Sequence, residues 1–150
     1  MGRNRLYLEG GEILMGTVIR PEISTKNKYW ISKNRYYELK YFCLQYSEWK
    51  TAYAGLNDTS IYSPSTIGRS TDISNPTEKL AMAKRYYSER MEMIERIAKE
   101  TDLELHTYIL KAVTEGVSYT NLKTVYDIPC SRDTYYDRYR RFFWLLSKSK

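Results

Sequence analysis

Apolar side chains recur three and four residues apart along much of this chain, the spacing that gathers them on one face of an α-helix. The clearest stretch covers residues 76–100, where Asn75 is a favourable N-cap and Pro76 suits the first helical position. Its apolar positions are Leu80, Ala83, Tyr87, Met91, Ile94 and Ala98. The pattern predicts an amphipathic helix, either packed on a core or forming a seam between two copies of the chain.

A second, aromatic-rich helix is predicted over residues 32–56, beginning at the N-cap Ser32 and ending near Gly55 and Asn57. Residues 57–75 are rich in Ser, Thr, Asp and Gly and predict a long loop. Residues 1–31 predict an extended arm or a short β-hairpin, because Gly10-Gly11 separates two short apolar runs. We therefore divide the chain into an arm, 1–31, a helical region, 32–101, and a C-terminal domain, 102–150.

The C-terminal domain shows three shorter helical patterns. Thr101 is predicted to cap the first, which carries Leu105, Ile109 and Val113 and ends at Gly116. Ser118 caps the second, with Tyr119, Leu122, Val125 and Tyr126 as its apolar positions, and Ser131 caps the third after a turn at residues 127–130. Three short helices with this spacing are typical of a helix-turn-helix, so the predicted fold class is all-α.

The last helix is predicted to have two different faces. Its apolar face is formed by Tyr135, Tyr139, Phe142, Phe143 and Leu146. The polar residues predicted to contact DNA are Ser131, Arg132, Asp133, Thr134, Asp137, Arg138, Arg140 and Arg141. Arginine matches guanine edges or phosphates, and Thr134 is short enough to approach base edges.

Charge and composition support the same partner. The chain has a net charge of +6. From Ser131 onward there are six basic and two acidic residues, a net charge of +4. Tyrosine is unusually frequent, with 16 residues, and we expect most of them at the edge of the core, with their hydroxyls near water or backbone.

Other chemistry is not indicated by the sequence. His106 is the only histidine, no metal-ligand spacing occurs, and no phosphate-binding loop or nucleophile motif is present. We expect no enzymatic activity, no cofactor and no metal. Cys43 and Cys130 favour reduced thiols in a cytoplasmic protein, although the sequence does not exclude a disulfide. No apolar run of about 18 residues predicts a membrane span, and the N-terminus does not resemble a secretion signal.

Residues 116–146 resemble the region-four helix-turn-helix of sigma factors and the C-terminal domain of phage late transcription activators of the RinA/ArpU type. The resemblance is carried by Gly116-Val117-Ser118-Tyr119, Leu122, Ile128-Pro129-Cys130-Ser131, Thr134-Tyr135 and Arg140-Arg141-Phe142-Phe143. The block 36–46 and the start of helix 76–100 also look like those of small prophage regulators. The turn at residues 127–130 is longer than the usual glycine-type turn.

The resemblance implies a phage or prophage transcription regulator that binds double-stranded DNA in the host cytoplasm or nucleoid. We expect it to act beside RNA polymerase or as a homodimer, for which the amphipathic pattern of helix 76–100 predicts the seam. Two alternatives remain open. The first is a DNA-packaging recognition protein like a small terminase subunit, which would assemble into rings. The second is a helical protein-interaction module that uses the aromatic helix 32–56 and does not bind DNA.

Overall fold

The computed structural model describes residues 25–57 and 75–150, and this part of the chain contains six helices and no strand. The helices are α1 (Lys33–Leu44), α2 (Tyr46–Leu56), α3 (Pro76–Thr101), α4 (His106–Glu115), α5 (Tyr119–Thr124) and α6 (Arg132–Ser149). The predicted all-α fold is therefore confirmed. The proposed hairpin of the arm and nearly all of the predicted loop 57–75 lie outside the described residues.

The helix starts follow from local capping chemistry. The side chains of Ser32, Asn75, Ser118 and Ser131 each accept a hydrogen bond from a backbone N–H in the first turn of the helix that follows. These acceptors satisfy amides that have no partner within the helix. Helix α4 ends at Gly116, whose φ of 71° is left-handed and suits glycine. These predicted boundaries are confirmed.

The aromatic segment forms two helices rather than the single helix 32–56 predicted from its pattern. The break falls at Gln45, whose backbone N–H donates to Phe42 O at 3.2 Å in a tighter turn. The break lets α1 pack against α4 and α6 while α2 packs along α3. The Phe42 and Trp49 rings then meet across it, with centroids 5.0 Å apart.

One buried cluster joins all six helices. Its fully buried side chains include Leu39 and Cys43 from α1, Ile94 and Ile97 from α3, and Phe142 from α6. Burial raises the pKa of the Cys43 thiol well above its ordinary value, so this sulfur is an unreactive part of the core. Because α1, α3 and α6 share this cluster, the regions 32–101 and 102–150 are packed as one body.

Two details of the C-terminal helices differ from the prediction. Thr101 ends α3, with its hydroxyl donating to Ile97 O, and Asp102 instead accepts from the N–H groups of Glu104 and Leu105. Val125 is 67% exposed, whereas Ile128 is fully buried. Because α5 ends at Thr124, the chain turns there. Ile128, three residues after Val125, is then the apolar side chain that enters the core.

Candidate nucleic-acid interface

The connection between α5 and α6 is held by hydrogen bonds across the turn. Ile128 N donates to Leu122 O at 3.0 Å, the Tyr119 hydroxyl donates to Cys130 O at 2.8 Å, and Lys123 Nζ donates to Ile128 O at 3.3 Å. Asp127 takes a left-handed φ of 51° to make this turn. Although this turn is longer than the usual glycine-type turn, these hydrogen bonds hold α5 and α6 in a fixed relative position.

The first turn of α6 presents polar groups to solvent. Ser131, Arg132, Asp133 and Thr134 are all exposed. Ser131 Oγ accepts from the N–H of Thr134 and also lies 3.0 Å from Thr134 Oγ1. The Arg132 guanidinium lies 5.2 Å from the centroid of the Tyr119 ring. The contact with the ring of α5 favours this position of the guanidinium.

Arg138 is engaged within the protein. Its Nε donates to Asp102 Oδ2 at 2.9 Å and its Nη1 donates to Asp137 Oδ2 at 2.7 Å. Partial burial by itself would raise the pKa of Asp102, but the N–H groups of Leu105 and Glu104 and the Arg138 guanidinium outweigh it and lower the pKa. This arginine thus joins α6 to the corner between α3 and α4.

The remaining arginines lie further along α6. Arg138 and Arg141 line a groove beside the end of α3, and its lining contains both acidic and basic side chains. The acidic ones are Glu92, Glu95, Glu100, Asp102 and Glu104, and the other basic ones are Arg96 and Lys99. Arg140 is half-buried, and no ion pair to Arg140 or Arg141 is formed by the residues that the structure describes.

The Trp144 ring packs against Tyr29 with centroids 5.5 Å apart, and Lys148 Nζ lies 3.5 Å from the Trp144 ring centroid. The segment preceding α1 thus covers part of the polar side of α6. Residues 131–134 are left exposed at the start of α6.

Positive charge is not concentrated at this accessible end. Residues 119–137 contain two basic side chains, Lys123 and Arg132, and three acidic ones, Asp127, Asp133 and Asp137, a net charge of −1. The excess of positive charge along α6 comes from residues beyond Asp137, and part of it is compensated by Asp102. A ligand at the helix start would therefore be held by few charge contacts.

The structure brings five of the predicted residues together at one end of α6, namely Ser131, Arg132, Asp133, Thr134 and Asp137. It places Arg138, Arg140 and Arg141 on later turns, with Arg138 and Arg141 beside the end of α3. The sequence did not single out Lys123, which is exposed on α5 close to the turn, or Asp102 as the partner of Arg138. Lys123 had a detectable signal, since it precedes the turn, but the Asp102 contact joins residues that are 36 positions apart.

Among the described residues, no group of His, Cys, Asp and Glu is arranged to hold a metal ion, and both cysteines are free. None of the helices in this part of the chain has the length and apolar character needed to cross a membrane. No protein-family model, curated protein or solved structure matches the chain.

Proposed function

We propose that the protein is a sequence-specific DNA-binding transcription regulator of phage or prophage origin, with α6 as its recognition helix. In this proposal the first turns of α6 enter the major groove. Arg132 and Thr134 contact base edges, and Ser131 and Lys123 contact phosphates. RNA polymerase is the second partner, as the sigma-factor resemblance implies.

The observation that carries the proposal is the exposed start of α6, which follows a hydrogen-bonded turn. Four consecutive polar residues face solvent there, and the bonds from Tyr119, Leu122 and Lys123 fix the turn that precedes them. Base recognition requires a preorganised helix end whose side chains are held by their surroundings. The free amides of a helix N-terminus also favour an anionic group such as phosphate.

The small net charge of residues 119–137 limits how tightly one copy of the protein would bind DNA. With about two phosphate contacts per copy, the logarithm of the binding constant would fall with the logarithm of salt concentration with a slope of about −2. Such a contact is weak on its own, so we propose that two copies bind a site with two half-sites one helical turn apart. Helix α3 is the surface we assign to this homodimer, because Met82 and Tyr86 are 65% and 47% exposed on it.

The test is selection from random-sequence duplexes, followed by anisotropy titration of the enriched duplex at two salt concentrations. Arg132→Ala and Thr134→Ala are expected to weaken binding by about 1–3 kcal/mol each and to relax the preference at individual base pairs. Lys123→Ala should weaken all duplexes equally and reduce the salt slope by about 0.9 for each bound copy. Lys50→Ala, which removes an exposed cation from α2, is the matched control and should leave binding unchanged.

A selected pool without sequence preference would refute the proposal, as would unchanged binding by the Arg132 and Thr134 variants. The two alternatives predict other results. A packaging protein would form rings that sedimentation velocity detects as a large oligomer, and an interaction module would bind none of the duplexes.

A further inference from the structure

The solvent side of α1 combines aromatic rings with positive charge. Tyr37 and Tyr41 are 37% and 60% exposed, and their rings stack with centroids 6.4 Å apart and planes 25° from parallel. Lys40 Nζ lies 5.9 Å from the Tyr37 ring centroid, and Lys33 is exposed one turn earlier. Neither tyrosine belongs to the buried cluster. The Tyr37 ring contacts the Tyr36 ring, with centroids 5.3 Å apart, and both Tyr37 and Tyr41 keep part of their surface open to solvent.

The charge around these rings is one-sided. Residues 25–41 contain five basic side chains and one acidic side chain, a net charge of +4. The acid is Glu38, which accepts hydrogen bonds from Arg35 at 2.9 Å and from Lys150 at 3.3 Å. Because Arg35 and Lys150 neutralise the Glu38 carboxylate, the surface is positively charged as a whole. It therefore favours a polyanionic ligand over a cationic one.

We propose that this surface, formed by Lys33, Tyr37, Lys40 and Tyr41, binds an unpaired nucleic-acid strand. Bases stack on the two tyrosine rings, and phosphates lie against the two lysines. Aromatic rings flanked by cations bind single strands with little sequence preference, because every base has a π face and every nucleotide a phosphate. In a duplex the base faces are covered by their neighbours, so these rings would have no equivalent contact.

The proposed strand contact does not depend on duplex recognition. It uses residues of α1, whereas the duplex contact uses the start of α6, and the two sets share no side chain. A regulator with both surfaces could hold one strand of locally opened DNA while its recognition helix occupies the adjacent duplex.

The experiment is a fluorescence-anisotropy titration of the full chain with a labelled oligothymidine of about 15 nucleotides. Tyr37→Ala and Tyr41→Ala are each expected to weaken binding by about 5- to 100-fold. Tyr37→Phe and Tyr41→Phe should bind like the wild type, because stacking requires the ring and not the hydroxyl. The lysine variants Lys33→Gln and Lys40→Gln should each reduce the salt slope by about 0.7.

Tyr126→Ala is the matched control for loss of an exposed tyrosine, since Tyr126 is 42% exposed. Its ring lies after α5 with Lys111 Nζ 4.6 Å from its centroid, and its removal should leave oligothymidine binding unchanged. Should an alanine variant melt at a lower temperature, Tyr37→Leu and Tyr41→Leu replace it, since leucine keeps an apolar side chain without a ring.

Unchanged binding in the alanine or leucine variants would overturn the inference, as would equal losses in the phenylalanine variants. Failure of this proposal can be distinguished from failure of the duplex proposal. A chain that binds the selected duplex but not the oligothymidine refutes only the α1 surface. An Arg132→Ala variant that no longer binds the duplex but still binds the oligothymidine supports the α1 surface.

Discussion

Asp102 joins three helices, and its replacement gives the most direct test of the packing described above. Its carboxylate accepts from the N–H groups of Glu104 and Leu105 before α4 and from Arg138 on α6. Asp102→Ala removes all three bonds at once. Loss of a cap costs about 1 kcal/mol. Because the Asp102 and Arg138 side chains are 19% and 31% exposed, we assign the ion pair about 1 kcal/mol more.

We therefore expect Asp102→Ala to lower the free energy of unfolding by about 2 kcal/mol in urea titrations followed by circular dichroism. Asp102→Asn should lose about 1 kcal/mol, because asparagine caps helices well but carries no charge. A double-mutant cycle of Asp102→Asn with Arg138→Gln should give a coupling energy of about 0.5–1 kcal/mol. Glu100→Ala, which removes only an exposed ion pair with Arg96, should change stability by less than about 0.5 kcal/mol.

The same carboxylate predicts a pH dependence. The pKa of Asp102 is lower in the folded chain than its ordinary value. Its stabilisation is therefore complete above the unfolded-state pKa and disappears as the pH falls through the folded-state pKa. The wild type should lose more stability than Asp102→Asn on acidification through that range. Parallel acid titrations of the two proteins, or zero coupling in the cycle, would refute the assigned role of the ion pair.

Three further predictions concern the core, the turn and the association of the chain. Phe142→Ala should lower the free energy of unfolding by about 3–5 kcal/mol in chemical denaturation, because Phe142 is fully buried. Val125→Ala, at an exposed site, should change it by less than about 0.5 kcal/mol. Similar losses at both sites would contradict the core assignment. Asp127→Gly should retain or slightly raise the melting temperature, because Asp127 has a φ of 51°, and a large decrease would show that its side chain matters more than its backbone. Met82→Glu with Tyr86→Glu should convert the proposed dimer to a monomer in sedimentation velocity, with unchanged helicity; a dimer that persists would exclude α3 as its seam.

Prediction succeeded where a feature depended on neighbouring residues. The helix caps at Asn75, Ser118 and Ser131 and the apolar face of α6 follow from local hydrogen bonding and the 3.6-residue period. It was incomplete where packing decides. Gln45 carries no glycine or proline signal, yet the helix breaks there because its two halves pack on different partners.

For the candidate interface, too, local sequence predicted some features, and packing decided others. The sequence identified α6 as the polar and accessible helix of the C-terminal domain, because alternation of tyrosines with charged residues is visible along the chain. It assigned Arg138, Arg140 and Arg141 to DNA together with the start of the helix. In the fold, Arg138 is held by Asp102, whereas Arg141 lines a groove without forming an ion pair among the described residues. The arginines therefore differ in their surroundings although they are alike in sequence.

Local sequence was enough to predict that the described part of the chain is helical, where five of its six helices begin to within a few residues, and which face of α6 is buried. These properties depend on hydrogen bonds and side-chain spacing within a few residues of each other. Only the tertiary structure decided which arginine is paired, that Ile128 rather than Val125 fills the core, and that α1 leaves Tyr37 and Tyr41 exposed beside lysines. These outcomes depend on which distant segments pack together, and the residues next to each position in the sequence do not indicate those contacts.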